Sequence, residues 1–214
     1  YIFLMEAALI LFLIADAVRF VLWLAGAGTE GFVSYSGGLV FGSLALLLIA
    51  GSRNAWSPFV RSHELAIDKP ASGGRTHWTV AVASDLHLGN VVGRKHLRKL
   101  VELANEMKPD LVLLAGDVLD DSIEPFLRNR MSEVLGQLRA EHGVFAVLGN
   151  HEYYGGHIEE YARRMGEIGI PVLRDETVTV GGGIQIVGRK DKTAESGGGR
   201  LPIGRLTEGL DAGR

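Results

Sequence analysis

The 214-residue sequence contains no cysteine. Disulfides, thiolate zinc sites and cysteine nucleophiles are therefore excluded, and any metal must be held by nitrogen and oxygen donors. There is no basic excess either. The net charge is -3, without the electropositive face that nucleic-acid binding usually needs, so nucleic acid is not an expected partner. No GxGxxG or Walker pattern follows any strand-like run, which removes a nucleotide-binding α/β module.

What is present is unevenly distributed hydrophobicity. Phe32 to Ala50, "FVSYSGGLVFGSLALLLIA", carries no charge. It is long enough to cross about 30 Å of hydrocarbon. Its alternative is a buried core helix. Tyr1 to Gly26 is a weaker candidate span, because Glu6, Asp16 and Arg19 are costly at mid-bilayer. Asp16 and Arg19 are spaced to pair, or the segment lies at the interface. The connecting loop holds Glu30 and no Lys or Arg, whereas Arg53, Arg61, Lys69 and Arg75 follow the second span. The positive-inside rule then puts the rest of the chain in the cytoplasm.

Residue 1 is Tyr, already inside an apolar run, and the chain stops at Asp211-Ala-Gly-Arg214 without an evident terminal element. The expectation is an excerpt of a longer protein, truncated at both ends. Its organisation reads as a membrane region over 1–51 with one or two transmembrane helices, a linker over 52–77 and a catalytic domain over 78–214. Pro58, Pro70 and Ser72-Gly-Gly74 mark the linker. Gly197-Gly-Gly199 reads as a flexible loop.

Beyond the linker, Trp78 to Ala83, Leu111 to Ala115 and Val144 to Leu148 are short apolar, strand-like runs. Helical spacing runs over Arg94 to Met107, Glu124 to Ala140 and Ile158 to Ile168. Short strands are expected at Val172-Leu173, Thr177 to Val180 and Ile184 to Val187. Strand-helix-strand-helix-strand predicts an α/β fold with a parallel sheet. The near-continuous apolar strands suggest a sheet covered on both faces. The three C-terminal strand ends share one edge, where open α/β sheets bind ligands.

Each of those strands ends in chemistry. The first delivers Ser84-Asp85-Leu86-His87, the second Gly116-Asp117-Val118-Leu119-Asp120-Asp121, the third Gly149-Asn150-His151-Glu152. Singly, Asp85 could cap a turn, Asp117 could form an Asx-turn and His151 could be a half-buried loop histidine. Together they would repel, because Asp85 and Asp117 cannot both stay ionised at close range without a cation. No Lys or Arg lies within the motifs. A pair of divalent ions (manganese, iron, zinc or magnesium) supplies the missing charge and suits this oxygen and nitrogen donor set. Two ions about 3.5–4 Å apart can activate water and clamp a phosphoryl group. Asp117, on the middle loop, is the candidate bridge.

In order and spacing, Asp85-Leu-His87, Gly116-Asp117-Val-Leu-Asp120 and Gly149-Asn150-His151-Glu152 resemble the first three signature blocks of the calcineurin-like metallophosphoesterases. The resemblance runs from Thr79 to about Gly188. Within the superfamily the chain is similar to bacterial membrane-attached members, whose neighbours include UDP-2,3-diacylglucosamine hydrolases; "GNHEYYGG" and "VGRKD" carry that narrower likeness. The resemblance implies a β-sandwich flanked by helices, here incomplete and preceded by transmembrane helices. It implies that Asp85 and His87 bind the first ion, Asp117 bridges and Asn150 binds the second. His151 would touch the phosphate and either protonate the leaving oxygen or stabilise the charge developing there. Asp120 would orient a ligand or His151 from behind, and Glu152 would make a loop hydrogen bond. Arg189 and Lys190 either approach an anionic substrate or lie on a solvated loop.

The implied function is a membrane-attached, metal-dependent phosphodiesterase or phosphatase whose partners are membrane lipid and a phosphoester, lipid-linked in the manner of UDP-2,3-diacylglucosamine. One departure stands out. The family's later histidine blocks have no counterpart, since no histidine follows His157. The alternative is a catalytically inactive, metal-binding scaffold of the membrane.

Overall fold

A computed structural model describes residues 2–67, 75–181, 183–196 and 199–210. Part of the linker (68–74), the middle glycine of the 181–183 turn, Gly197-Gly198 and the terminal 211–214 lie outside the described residues. The chain divides into two compact units, 1–58 and 59–214.

The first unit is a pair of helices, α1 (Ile2–Leu24) and α2 (Phe32–Ala55). Their 23 and 24 residues give about 35 Å each at 1.5 Å per residue, enough to span the hydrocarbon. They touch, with the Phe12 and Phe41 rings edge-to-face at 5.9 Å. Among the described residues, α1 buries no side chain and α2 buries only Val40. A core helix of a soluble domain would be covered. Helices this apolar on their outer surface suit lipid, and both support a membrane-associated topology. Asp16 and Arg19 form no ion pair among the described residues, so the pairing open to them by spacing is not made.

The second unit is built on a parallel sheet of β1 (Val80–Ala83), β2 (Leu111–Ala115) and β3 (Val144–Val147), in that spatial order. Helix α3 (Arg94–Glu106) joins β1 to β2. Two short helices, α4 (Glu124–Arg128) and α5 (Met131–Leu135), lead from β2 to β3. After β3 come α6 (Asn150–Gly155) and α7 (Ile158–Glu167), the antiparallel hairpin β4 (Glu176–Val180) and β5 (Ile184–Gly188), a 3-10 turn at Lys192–Ser196 and α8 (Ile203–Leu206). This is the expected α/β architecture, with a small parallel sheet and an antiparallel hairpin among helices, preceded by two apolar helices.

Three expectations are corrected. The sheet is covered unevenly on its two faces. Ala81, Val112, Leu114, Val144 and Ala146 share one face and are buried, while on the other Leu111 is buried, Leu113, Phe145 and Val147 are half-buried, and Val80 and Val82 of the edge strand are 42% and 65% exposed. Strands in sequential order, linked by right-handed crossovers, put both connecting helices on the same side, and α3 packs against α5 there. The second predicted helix, Glu124 to Ala140, is broken. Arg130 sits at φ 51, and the Asn129 carbonyl accepts from the Arg94 guanidinium at 3.1 Å. A tertiary contact thus diverts a carbonyl that would otherwise continue the helix, yet Phe126, Met131, Val134 and Leu135 still all reach the core. Val172-Leu173 forms a single parallel bridge to Ala146 rather than a strand.

Candidate metal centre

Hydrogen bonding between β1 and β2 does not stop where the strands stop. The Asp85 N–H donates to the Gly116 carbonyl at 3.2 Å, His87 to Asp117 at 3.0 Å and Leu88 to Val118 at 2.8 Å; Asp120 returns to Leu88 at 3.1 Å. The two loops therefore run side by side past the sheet edge. To do so they adopt left-handed backbone at Asp85 (φ 53), His87 (φ 45), Asp117 (φ 50) and Asp121 (φ 52). Such conformations cost about 1–3 kcal/mol each and persist only where the surroundings over-determine them. Their concentration at this edge is characteristic of functional loops.

The third strand end is pressed against the second. A Cβ on Gly149 would overlap the Asp117 carboxylate and its amide nitrogen, so only glycine fits. From there α6 begins, and the His151 N–H donates to Asp117 Oδ1 at 3.0 Å. The helix was not foreseen, although Gly149 followed three residues later by Glu152 is a helix-start spacing.

This packing brings His87, Asp117 and His151 together, with one donor atom from each lying within 4.8 Å of the others. The two imidazoles meet edge-to-face at 4.4 Å. Donors around one ion with bonds of about 2.1 Å stand about 3–4.2 Å apart, so His87 and Asp117 stand near the spacing that ligands of one cation take, with His151 beside them. The donor chemistry fits a divalent ion. The Asp85 carboxylate falls outside the cluster and is exposed, although its backbone is tied to Gly116. Asn150 opens α6, half-buried, between Gly149 and His151. Asp120 Oδ1 lies 3.9 Å from His87 Nδ1.

Two neighbours carry more than the sequence shows. Asp121 Oδ1 is 2.8 Å from His151 Nδ1. The carboxylate lies off the ring N–H axis, so Nδ1 is buried without an aligned hydrogen bond. The sequence offers the doublet Asp120-Asp121 but nothing to say which member faces His151. Glu152 is 2% exposed and accepts backbone N–H groups from Asp117, Leu119 and Gly149, the loop hydrogen bond expected of it made threefold. Burial pushes its carboxyl above the usual carboxylate range, against those three donors, and the charge of Asp117 adds to the rise. Tyr161 stays a neutral phenol, its ionisation pushed well up by burial and then by the Glu152 charge. Arg189 and Lys190 serve their own loop: Arg189 Nε donates to the Leu201 carbonyl at 2.8 Å, and the Lys190 ammonium stands 3.7 Å from Asp175.

Residues 79–205 match the family model of calcineurin-like phosphoesterases. The chain belongs to that family. Its second unit is a metallophosphoesterase-type domain with one candidate metal-ligand cluster among the described residues. A transmembrane protein with metallophosphoesterase domain from Danio rerio is 33% identical over 64% of this chain and 31% of its own length. The metallophosphoesterase-type protein F40B5.2 of Caenorhabditis elegans is 35% identical over 58% of this chain and 26% of its own. An uncharacterized metallophosphoesterase of Helicobacter pylori is 34% identical over 48% and 27%. The chain thus spans about a quarter to a third of the length of these relatives. Animal and bacterial proteins match alike, so the family likeness does not narrow to a bacterial subgroup.

Proposed function

We propose that this protein is a membrane-attached, metal-dependent phosphoester hydrolase acting on a phosphoester at or near the bilayer. The observation that carries the reading is the convergence of His87, Asp117 and His151 from three separate strand ends to within 4.8 Å. In this reading Asp85 and His87 hold one ion, Asp117 bridges to a second, and Asn150 completes the second ion's share of this chain's ligands. The Asp85 backbone is already tied to Gly116 at the same edge.

Bound divalent ions supply the positive charge that neutralises the phosphoryl oxygens and activates the attacking water. The chain's own residues do the rest. His151, with Nδ1 turned toward Asp121, keeps Nε2 free to donate a proton to the leaving oxygen. Asp120, 3.9 Å from His87, would orient that ligand from behind. The helices α1 and α2 hold the site near a membrane, and the arginines after α2 favour a cytoplasmic face. Location is the argument for a lipid-linked substrate, of which UDP-2,3-diacylglucosamine is one type.

The test is hydrolysis of a chromogenic phosphodiester by the full gene product with manganese present, followed by a panel of phospholipid, UDP-sugar-lipid and nucleotide phosphoesters. Asp117→Asn abolishes the activity and His151→Ala slows it with metal still bound. Activity that survives Asp117→Asn refutes the reading. Metal binding without hydrolysis of any phosphoester supports an inactive scaffold instead.

A further inference from the structure

We infer that Glu152 is a positioning residue: it sets the spacing between the Asp117 loop and the Asn150–His151 segment before any cation arrives, and thereby sets the affinity for the cation. The inference rests on the metal-dependent reading above and concerns what prepares that site.

A carboxylate that is 2% exposed is costly to bury without compensation. Among the described residues no Lys or Arg pairs with Glu152. Its compensation is backbone. Oε1 accepts from Leu119 at 2.8 Å, and Oε2 accepts from Asp117 at 3.1 Å and Gly149 at 2.7 Å. Two of these donors belong to the loop after β2, and the third precedes Asn150. One side chain therefore spans the two loops that deliver Asp117, Asn150 and His151.

The contact is reciprocal. The carboxylate of Asp117 accepts from the His151 N–H at 3.0 Å, while the carboxylate of Glu152, the next residue, accepts from the Asp117 N–H. Each loop holds the other's backbone through a charged side chain, and charge-assisted hydrogen bonds of this kind are the strong ones. Something must do this work in the metal-free protein. Asp117, Asp120 and Asp121 lie on one loop with no Lys or Arg among them, and mutual repulsion would spread that edge. A merely structural glutamate could bind any buried amides. Glu152 binds the amide of the candidate bridging ligand and that of the residue before Asn150.

Glu152→Gln preserves size but replaces one acceptor oxygen by an NH2 group facing a backbone donor. In the full chain, held in detergent or nanodiscs, Mn2+ binding followed by electron paramagnetic resonance is expected to weaken about 10- to 100-fold in the folded variant, the usual scale for groups that orient metal ligands. Hydrogen exchange of the unmutated, metal-free protein provides a measure that does not depend on the variant folding. The amides of Asp117, Leu119 and Gly149 are already protected before Mn2+ is added. Unchanged Mn2+ affinity in folded Glu152→Gln overturns the inference, as do amides that become protected only with the ion. If the unmutated chain binds no Mn2+, the metal reading itself fails. That outcome is distinct from equal binding by chain and variant, which removes only the positioning role.

Discussion

Oδ1 of Asp121 stands 2.8 Å from Nδ1 of His151, whereas Asp120 of the same loop lies 3.9 Å from His87. The two adjacent carboxylates thus face different imidazoles. Asp121→Asn is expected to lower turnover about 10- to 100-fold, by loosening the contact that positions the His151 ring, with metal content unchanged. Asp120→Asn acts instead on His87 and shows first in metal affinity. Steady-state kinetics and metal analysis of both variants separate these roles, and the reverse assignment contradicts the geometry.

Close backbone approach gives a second prediction. A Cβ on Gly155 would overlap the Asp121 carbonyl oxygen, and one on Gly149 would overlap Asp117. Either Gly→Ala change is expected to cost about 1–3 kcal/mol, the range for overpacking, and to impair the site. Gly93 has nothing within 4 Å of where its Cβ would stand, so Gly93→Ala meets no overlap and loses only the N-cap preference of α3, about 0.5–1 kcal/mol at most. Denaturant unfolding of the three variants measures the contrast.

Much of this was legible in the sequence. The three apolar runs announced a parallel α/β sheet, because strand order and crossover hand leave few alternatives, and the residues at their ends marked the edge where His87, Asp117 and His151 gather. The rest depended on contacts between distant residues. Nothing local says that the Asn129 carbonyl will turn to Arg94 and break a helix whose apolar stripe is intact. Nor does a local pattern tell that Val82 will be exposed while Ala81 is buried, since both read as strand interior. Glu152 was legible as a loop hydrogen bonder, but its depth and its three donors come from two loops meeting. That Asp121 rather than Asp120 faces His151 was hidden for the same reason.

The core supplies a third test. Among the described residues the hydroxyl of Tyr161 is buried without a hydrogen-bond partner, its ring edge-on to Phe126 at 6.0 Å. An unsatisfied buried hydroxyl costs about 1–3 kcal/mol. Tyr161→Phe therefore leaves stability unchanged or raises it. A loss above about 1 kcal/mol would reveal a partner for that oxygen.

Asp175 is one contributor to acid sensitivity. Burial alone would raise its carboxyl, but the N–H groups of Lys190 and Leu201 and the Lys190 ammonium together hold it below the usual carboxylate range. A carboxylate lowered on folding contributes stability above its unfolded value of about 3.9. That contribution disappears as pH falls through the lower folded value. Asp175→Asn is expected to destabilise the protein at neutral pH and to flatten the acid limb of its stability profile. A parallel profile, shifted without flattening, contradicts this.

The account stands most directly on divalent metal held by the gathered strand ends. Metal content of the purified full gene product, measured by inductively coupled plasma mass spectrometry after incubation with manganese and removal of free ion, decides it. The expected result is tightly held divalent metal in the unmutated protein and its loss in Asp117→Asn and His87→Ala, with the fold retained. Retention of the same metal by both variants, or none in the unmutated protein, contradicts the account.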